Sequence, residues 1–346
     1  PIWMNEANVI TPLFHGANLN RLRRWAYPVP LVIILVSWFA YLTVNQLWAL
    51  YSDYWPMSLT MLFGSFVAGS TPQGGAAVAF PVFTKVLQIP SVDSRTFGFM
   101  IQSIGMTMAS VLIFARGIKV LPKVITWVTL GSVLGTTLGT YVFIIPDPFP
   151  RIFFTLGATA FGVALIISRW VLKWEPRPAL PGWNGGYLLL FVLVGVLGGI
   201  FSAQTGSGAD MITFVVLTLA FGIDEKISTP TTVVIMGLNS LVGFFLHGVV
   251  SQDIGIVWHY WIVAAPVVAF GAPLGAYVVS RVSRDTLILF VLFLITVEMV
   301  TTILLIPFTS SMVTVTAFVL GGCAFSFFAM LYFRQKRLAL LPATID

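Results

Sequence analysis

Charge is scarce in this chain of 346 residues. Asp, Glu, Lys and Arg make up 9% of it, where a soluble domain carries roughly a quarter. With 58% hydrophobic residues and a mean hydropathy of +0.96, that shortage excludes a soluble globular fold. A single cysteine, Cys323, excludes an intrachain disulfide and a cysteine-based metal cluster. The three histidines, His15, His247 and His259, are too scattered for a histidine-rich metal site, so no metal and no cofactor is expected. Residues 1–20 lack the basic start, apolar middle and cleavage site of a signal peptide. The net charge of +6 comes from Lys and Arg in short groups between apolar runs, the pattern of membrane topology rather than of a nucleic-acid-binding face. This is the composition of a polytopic membrane protein, all-α, with the lipid bilayer as its first partner.

Glycine, by contrast, is abundant and placed with purpose. An apolar run over residues 187–222 is interrupted by the segment 197–210, which reads Leu-Gly-Gly-Ile-Phe-Ser-Ala-Gln-Thr-Gly-Ser-Gly-Ala-Asp. A continuous membrane helix would not place glycines there. The same kind of break occurs at 63–76. A shift of 134 residues lays Thr71 on Thr205, Gly74 on Gly208, Phe80 on Phe214, Thr84 on Thr218 and Ser94 on Ser228. A second block, 135–142 on 271–278, matches at an offset of 136. The chain therefore reads as a duplication.

Candidate spans are 27–50, a broken pair at 56–88, then 95–115, 124–145 and 151–171. The second half repeats the order with a broken pair at 187–222, then 229–250, 256–279 and 286–306, and a closing span at 312–333. The organisation expected is an N-terminal segment and first span over 1–55, repeat 1 over 56–172, a cytoplasmic linker over 173–186 rich in Pro and Gly, repeat 2 over 187–307, and a last span and tail over 308–346. If each broken pair is a hairpin returning to its own side, fifteen of the 18 Lys and Arg fall on one face, leaving Lys85, Arg95 and Arg151 on the other. That bias makes the richer face cytoplasmic, with both termini there, in a cell membrane. Arms of about 14 residues reach roughly 21 Å, short of a hydrocarbon core of about 30 Å. The two halves then enter from opposite faces, the inverted-repeat plan of secondary transporters, with a site near the midplane.

At each break the second arm starts near Gly74 or Gly208, so its N-terminal N–H groups point into the protein. Facing termini of this kind suit a small anion. Gly74, Gly75, Gly206 and Gly208 permit close approach of backbone, and Ser70, Thr71, Gln73, Gln204, Thr205 and Ser207 can donate side-chain hydrogen bonds. Gln102 and Asn239, on the spans that follow the hairpins, can complete the site. No Lys or Arg is expected inside a span. Two acids are: Asp210, which falls on Ala76, and Glu298, which falls on Gly162 or Ala164. Ionisable groups at such depth are functional candidates, and both are read as proton-coupling residues. The competing reading of the small residues is close helix packing, and that of Asp210 is a helix N-terminal acid bonded to nearby N–H groups.

The glycine-rich hairpins, the paired Gly-x-x-x-Gly blocks and the duplicated layout resemble the TauE/SafE family of sulfite and organosulfonate exporters, over roughly residues 57–306. The glycine-rich segment of each half is matched by 69–75, Gly-Ser-Thr-Pro-Gln-Gly-Gly, and by Gly198 and Gly199 with 205–208, Thr-Gly-Ser-Gly. Pro72 and Gln73 depart from the pattern, which more usually has a further glycine. The resemblance implies transport of sulfite or a related sulfur oxyanion or sulfonate; the residues alone imply only a small anion. Two other readings fit parts of the sequence. One is a passive anion channel, which has no need of Asp210. The other is a rhomboid-like serine protease, in which Ser207 of the Gly-Ser-Gly segment would require a histidine partner.

Overall fold

The computed structural model describes residues 25–71, 73–171, 176–180, 182–279 and 281–339. Readings made for residues 1–24, for Pro72, for linker positions 173–175 and 181, and for residues 340–346 lie outside these. Among the described residues the chain is helical, apart from an isolated bridge between Arg177 and Ile223. The helices are α1 (Pro28–Val44), α2 (Leu50–Ser70), α3 (Ala76–Pro81), α4 (Ser91–Ala115), α5 (Pro122–Tyr141) and α6 (Phe149–Ile166). They continue with α7 (Gly185–Thr205), α8 (Ala209–Val215), α9 (Glu225–Phe245), α10 (Val257–Val279), α11 (Arg284–Leu305) and α12 (Ser310–Ala339). Seven helical stretches, running over α4, α6, α7 and α9 to α12, are long and apolar enough to cross a membrane.

Local signals set the boundaries. Proline opens α1 and α5 in the first turn, where its missing N–H is not needed. Asn184, Asp224 and Ser283 cap α7, α9 and α11 by accepting from Tyr187 N, Lys226 N and Thr286 N. The first arm of the first hairpin starts earlier than the pattern predicts. Helix α2 begins at Leu50 and bends at Tyr54 (φ −118°, ψ 20°), because the Pro56 ring clashes with the preceding turn without ending the helix.

The two hairpins share hydrogen bonding residue for residue. Each returning arm ends in a widened π turn, Val82–Val86 in one and Val216–Ala220 in the other. Thr84 Oγ1 donates to Phe80 O (2.7 Å) and Thr218 Oγ1 to Phe214 O (2.8 Å). Ile89 N donates to Phe83 O and Ile223 N to Leu217 O. The second hairpin closes on itself: Phe221 stacks with Phe191 and meets Tyr187 edge-on, and Arg177 before α7 exchanges backbone hydrogen bonds with Gly222 and Asp224.

Packing between the halves follows the duplication as well. Helix α5 lies parallel to α7, where Gly131, Gly135 and Gly139 rest on the backbone of Val192, Val196 and Ile200. Helix α10 lies along α2 in the same way, with Gly275 on the Phe66 carbonyl and Gly69 on Ala272. A Cβ at any of these glycines would strike main chain, so the paired Gly-x-x-x-Gly blocks are seams of backbone contact. Between the seams, α4 packs on α9 and the core closes around Phe99, Met106, Val233 and Met236.

Candidate functional site

The two breaks meet. The turn at 206–208 follows α7, whose last residue is succeeded by Gly206 at φ +79°, a left-handed conformation that side chains rarely adopt. Gly206 is pressed on the outer face of α4, against the backbone of Arg95 and Gly98. Gln102, one turn further on α4, donates its amide to Gly206 O (2.8 Å) and Gly98 O (3.0 Å). From the first break, Gln73 O accepts from Ser207 Oγ (2.9 Å). Gly74, at φ +67°, has Gln102 Oε1, Asp210 Oδ2 and Ser207 Oγ around the place where a Cβ would stand. Gln73, Gly74, Gln102, Gly206, Ser207 and Asp210 thus form one cluster, with Asp210 and Ser207 wholly buried.

Asp210 occupies the N-terminus of the second returning arm. Its carboxylate accepts from Met211 N (2.9 Å) and Ser207 Oγ (3.0 Å), and interacts with the N–H groups of Gly208 and Asp210 itself. The dipole end of α8 is therefore already filled by a carboxylate of this chain. Ser202 Oγ accepts from Ala209 N (3.0 Å) and takes up a further N–H. Two buried polar atoms of the cluster have no hydrogen-bond partner, Gln73 Nε2 and Gln102 Oε1. One is a donor and one an acceptor, each costing roughly 1–3 kcal/mol while unmade.

Other candidates lie apart or are otherwise engaged. The hydroxyls of Ser70 and Thr71 donate to Val67 O, and that of Thr205 to Phe201 O and Ser207 O. Gln204 donates to Gly139 O and Phe143 O, satisfying carbonyls at the end of α5 that no intrahelical donor reaches. Asn239 accepts from Thr136 Oγ1 (2.7 Å) between α5 and α9. A Cβ at Gly208 would meet the Phe201 ring, whereas one at Gly75 would find only ordinary contacts with Ala68, Gln102 and Met61.

The expectation that no cation lies inside a span is overturned by Lys85. It sits in the π turn of the first returning arm, 4% exposed. Its Nζ bonds Glu298 Oε1 (2.5 Å) and Thr302 Oγ1 (2.7 Å) on α11, and Thr155 on α6 donates to the same carboxylate oxygen (2.6 Å). Glu298 is thus one half of a buried ion pair, away from the crossing. The sequence hid this because the π turn carries Lys85 into the bundle, at the position that Leu219 holds in the second half.

A cleft opens on the face that carries Lys226 and reaches the first hairpin at Gly69. It runs between α4, α9 and α10, from the exposed Lys226 past Thr229 to Gly69, with about 30 Å³ of open space. That is room enough for water. Among the described residues Ser207 finds no histidine: His247 pairs with Asp253 (2.9 Å) and His259 stacks on Tyr54. The nucleophile and base of a serine protease are not assembled.

A bundle of apolar helices with two broken hairpins that meet in a buried polar crossing is the architecture of a polytopic membrane protein. The TauE/SafE sulfite exporter family matches the sequence over residues 57–305, and the chain belongs to that family. No curated protein and no solved structure matches it. Its class of function is accordingly exporter-type transport of an anion across a membrane, not enzymatic catalysis.

Proposed function

We propose that the chain is a secondary transporter that moves sulfite or a related sulfur oxyanion or sulfonate through the crossing of its two breaks. In this reading the halves are inverted in the membrane, the crossing lies near the midplane, and the Lys226 face is cytoplasmic. The observation that carries it is the meeting of Gly74, Gln102, Ser207 and Asp210 at one buried point, with Gln73 Nε2 and Gln102 Oε1 left unpaired beside it. Gln73 Nε2 can donate to an oxyanion. Gln102 Oε1 needs a donor, which either a protonated Asp210 or a hydrogen sulfite ion supplies.

Asp210 gives the crossing a reason to respond to protons. An anion entering the N–H groups at α8 meets a carboxylate that already fills them, and the two repel until one carries a proton. Sulfite flux into vesicles, measured with and without an imposed pH gradient, tests the proposal. Asp210→Asn is expected to bind and exchange sulfite while its flux no longer follows the gradient. Full gradient-driven flux in that variant would make Asp210 a capping acid only. A wild-type protein that moves no sulfite in either direction would sink the reading as a whole.

A further inference from the structure

On the reading of the chain as an anion transporter, we propose that Arg95 forms a second anion-binding point, at the entrance to the crossing from the face that carries Asp147 and Asp253. Arg95 opens the second turn of α4, only 7% exposed, and Nε of its guanidinium has no hydrogen-bond partner. No carboxylate lies within ion-pair distance of it among the described residues. The two acids that act on it electrostatically are Asp253 and Asp147. Asp253 is bonded to His247, and Asp147 to Ser91 and, at 3.5 Å, to Arg151. A buried guanidinium with no ion-pair partner is costly, and at such depth in a membrane bundle it is a candidate functional group.

Its position fits such a ligand. Arg95, Gly98 and Gln102 share one face of α4, at successive turns. Gly206 of the second break rests on Arg95 and Gly98, and Gln102 bonds the Gly206 carbonyl. Arg95 and Gln102 therefore flank the break, one on the side of the Asp253 loop and the other on the side of Gly74. An anion arriving from the Asp253 face passes Arg95 before it reaches Gln102. His247, whose ring stacks on Phe99 and whose Nε2 is buried and unpaired, stands beside the same path.

The duplication adds an independent argument. Arg95 falls on Thr229 at the offset of 134, and Ser94 falls on Ser228. Thr229 lines the cleft that runs from Lys226 to the first hairpin, with Ser228 beside it, both buried with unpaired hydroxyls. The halves thus place equivalent residues at the approach to the opposite hairpin. On the Lys226 face that approach is open. Around Arg95 the polar groups Ser94 Oγ, Arg95 Nε and His247 Nε2 are buried without partners. Lys226 supplies the cation on one face, and Arg95 on the other.

The test uses the full-length protein in lipid vesicles, with sidedness fixed by labelling Gln252→Cys in a Cys323→Ala background with an impermeant thiol reagent. Initial rates of sulfite transport are measured from each face. Arg95→Gln is expected to raise the half-saturating sulfite concentration from the Asp253 face by roughly ten- to a hundredfold, the value of a charged hydrogen bond. From the Lys226 face it should change by less than about twofold, within the scatter of a surface substitution. Arg95→Lys should keep most of the affinity, and Arg151→Gln on the same face should change neither value. If Arg95→Gln fails to fold, Arg95→Met, which keeps the packed side-chain stem without the charge, gives the same reading. Unchanged half-saturation from the Asp253 face, or an equal rise from both faces, would overturn the proposal while leaving the transport reading intact. Absence of sulfite transport in the wild type would instead remove the transport reading itself.

Discussion

The two hairpins have one backbone plan and different chemistry. In the second, Asp210 fills the start of the returning arm and Ser207 bonds both to it and to the first break. In the first, the equivalent of Asp210 is Ala76 and that of Ser207 is Gln73, so the same turn carries no acid and one unpaired amide. The feet differ in the opposite sense. The first hairpin is held at its π turn by Lys85, paired with Glu298 in the bundle, whereas Leu219 at the matching place is purely apolar and fully buried. The foot of the second is met from outside by Arg334 of α12, whose guanidinium lies on Gly222 and reaches Thr218 O (3.4 Å). The turn geometry is therefore common to the two hairpins, while the ionisable group stands at the tip in one and at the foot in the other.

The largest effect expected is at the foot of the first hairpin. Lys85→Met leaves Glu298 buried without its counter-ion and should cost about 3–5 kcal/mol of stability. Lys85→Met/Glu298→Met makes that foot as apolar as the second and should recover most of the loss. Denaturant unfolding in detergent reads both, and a single variant as stable as wild type would show that the pair anchors nothing. Next come the tips. Gly74→Val drives a side chain among Gln102, Asp210 and Ser207 at a positive φ, and should abolish sulfite binding measured by isothermal titration. Gly208→Val meets the Phe201 ring instead; it should cost about 1–3 kcal/mol by overpacking, be relieved by Phe201→Ala, and leave sulfite affinity in place. Equal behaviour of the two valine variants would mean that the breaks are interchangeable after all. The smallest effect belongs to Gly75→Ala, which gives the first hairpin the residue that the second has at Ala209. Its melting temperature should stay within the change produced by about 0.5 kcal/mol, and a large drop would show that the first turn has less room than its contacts indicate.

The helices and the two breaks were legible because membrane helices announce themselves by length and hydropathy, and glycine in their middle is a local signal that needs no partner to be read. The placement of Gly74, Gln102, Ser207 and Asp210 was legible for the same reason, each being a glycine or a polar residue at a break or one span beyond it. Gln204 and Asn239 were equally polar and equally near the breaks in sequence, yet their amides serve the end of α5 and the α5–α9 contact. Nothing local separates the two groups, since the rotation of α7 about its axis is set by its glycine seam with α5 and that of α9 by its packing on α4. Lys85 and Arg95 were read as loop cations because each stands near the end of an apolar run. Their burial comes from tertiary packing, through a π turn in one case and the tip of the opposite hairpin in the other.

The seams themselves govern how such a molecule can move. Gly131, Gly135 and Gly139 bind α5 to α7, and Gly69 with Gly275 binds α2 to α10, each through contacts that no side chain cushions. Every seam joins a helix from one half of the chain to a helix from the other. Pulling the two halves of the chain apart as bodies would unzip both seams at once. A change of access that leaves the seams closed has to carry α5 with α7 and α2 with α10 as two stiff rods, and to take up the displacement in the short returning arms. Those arms end in widened turns, the part of each hairpin where one hydrogen-bond register can give way to another at least expense of structure.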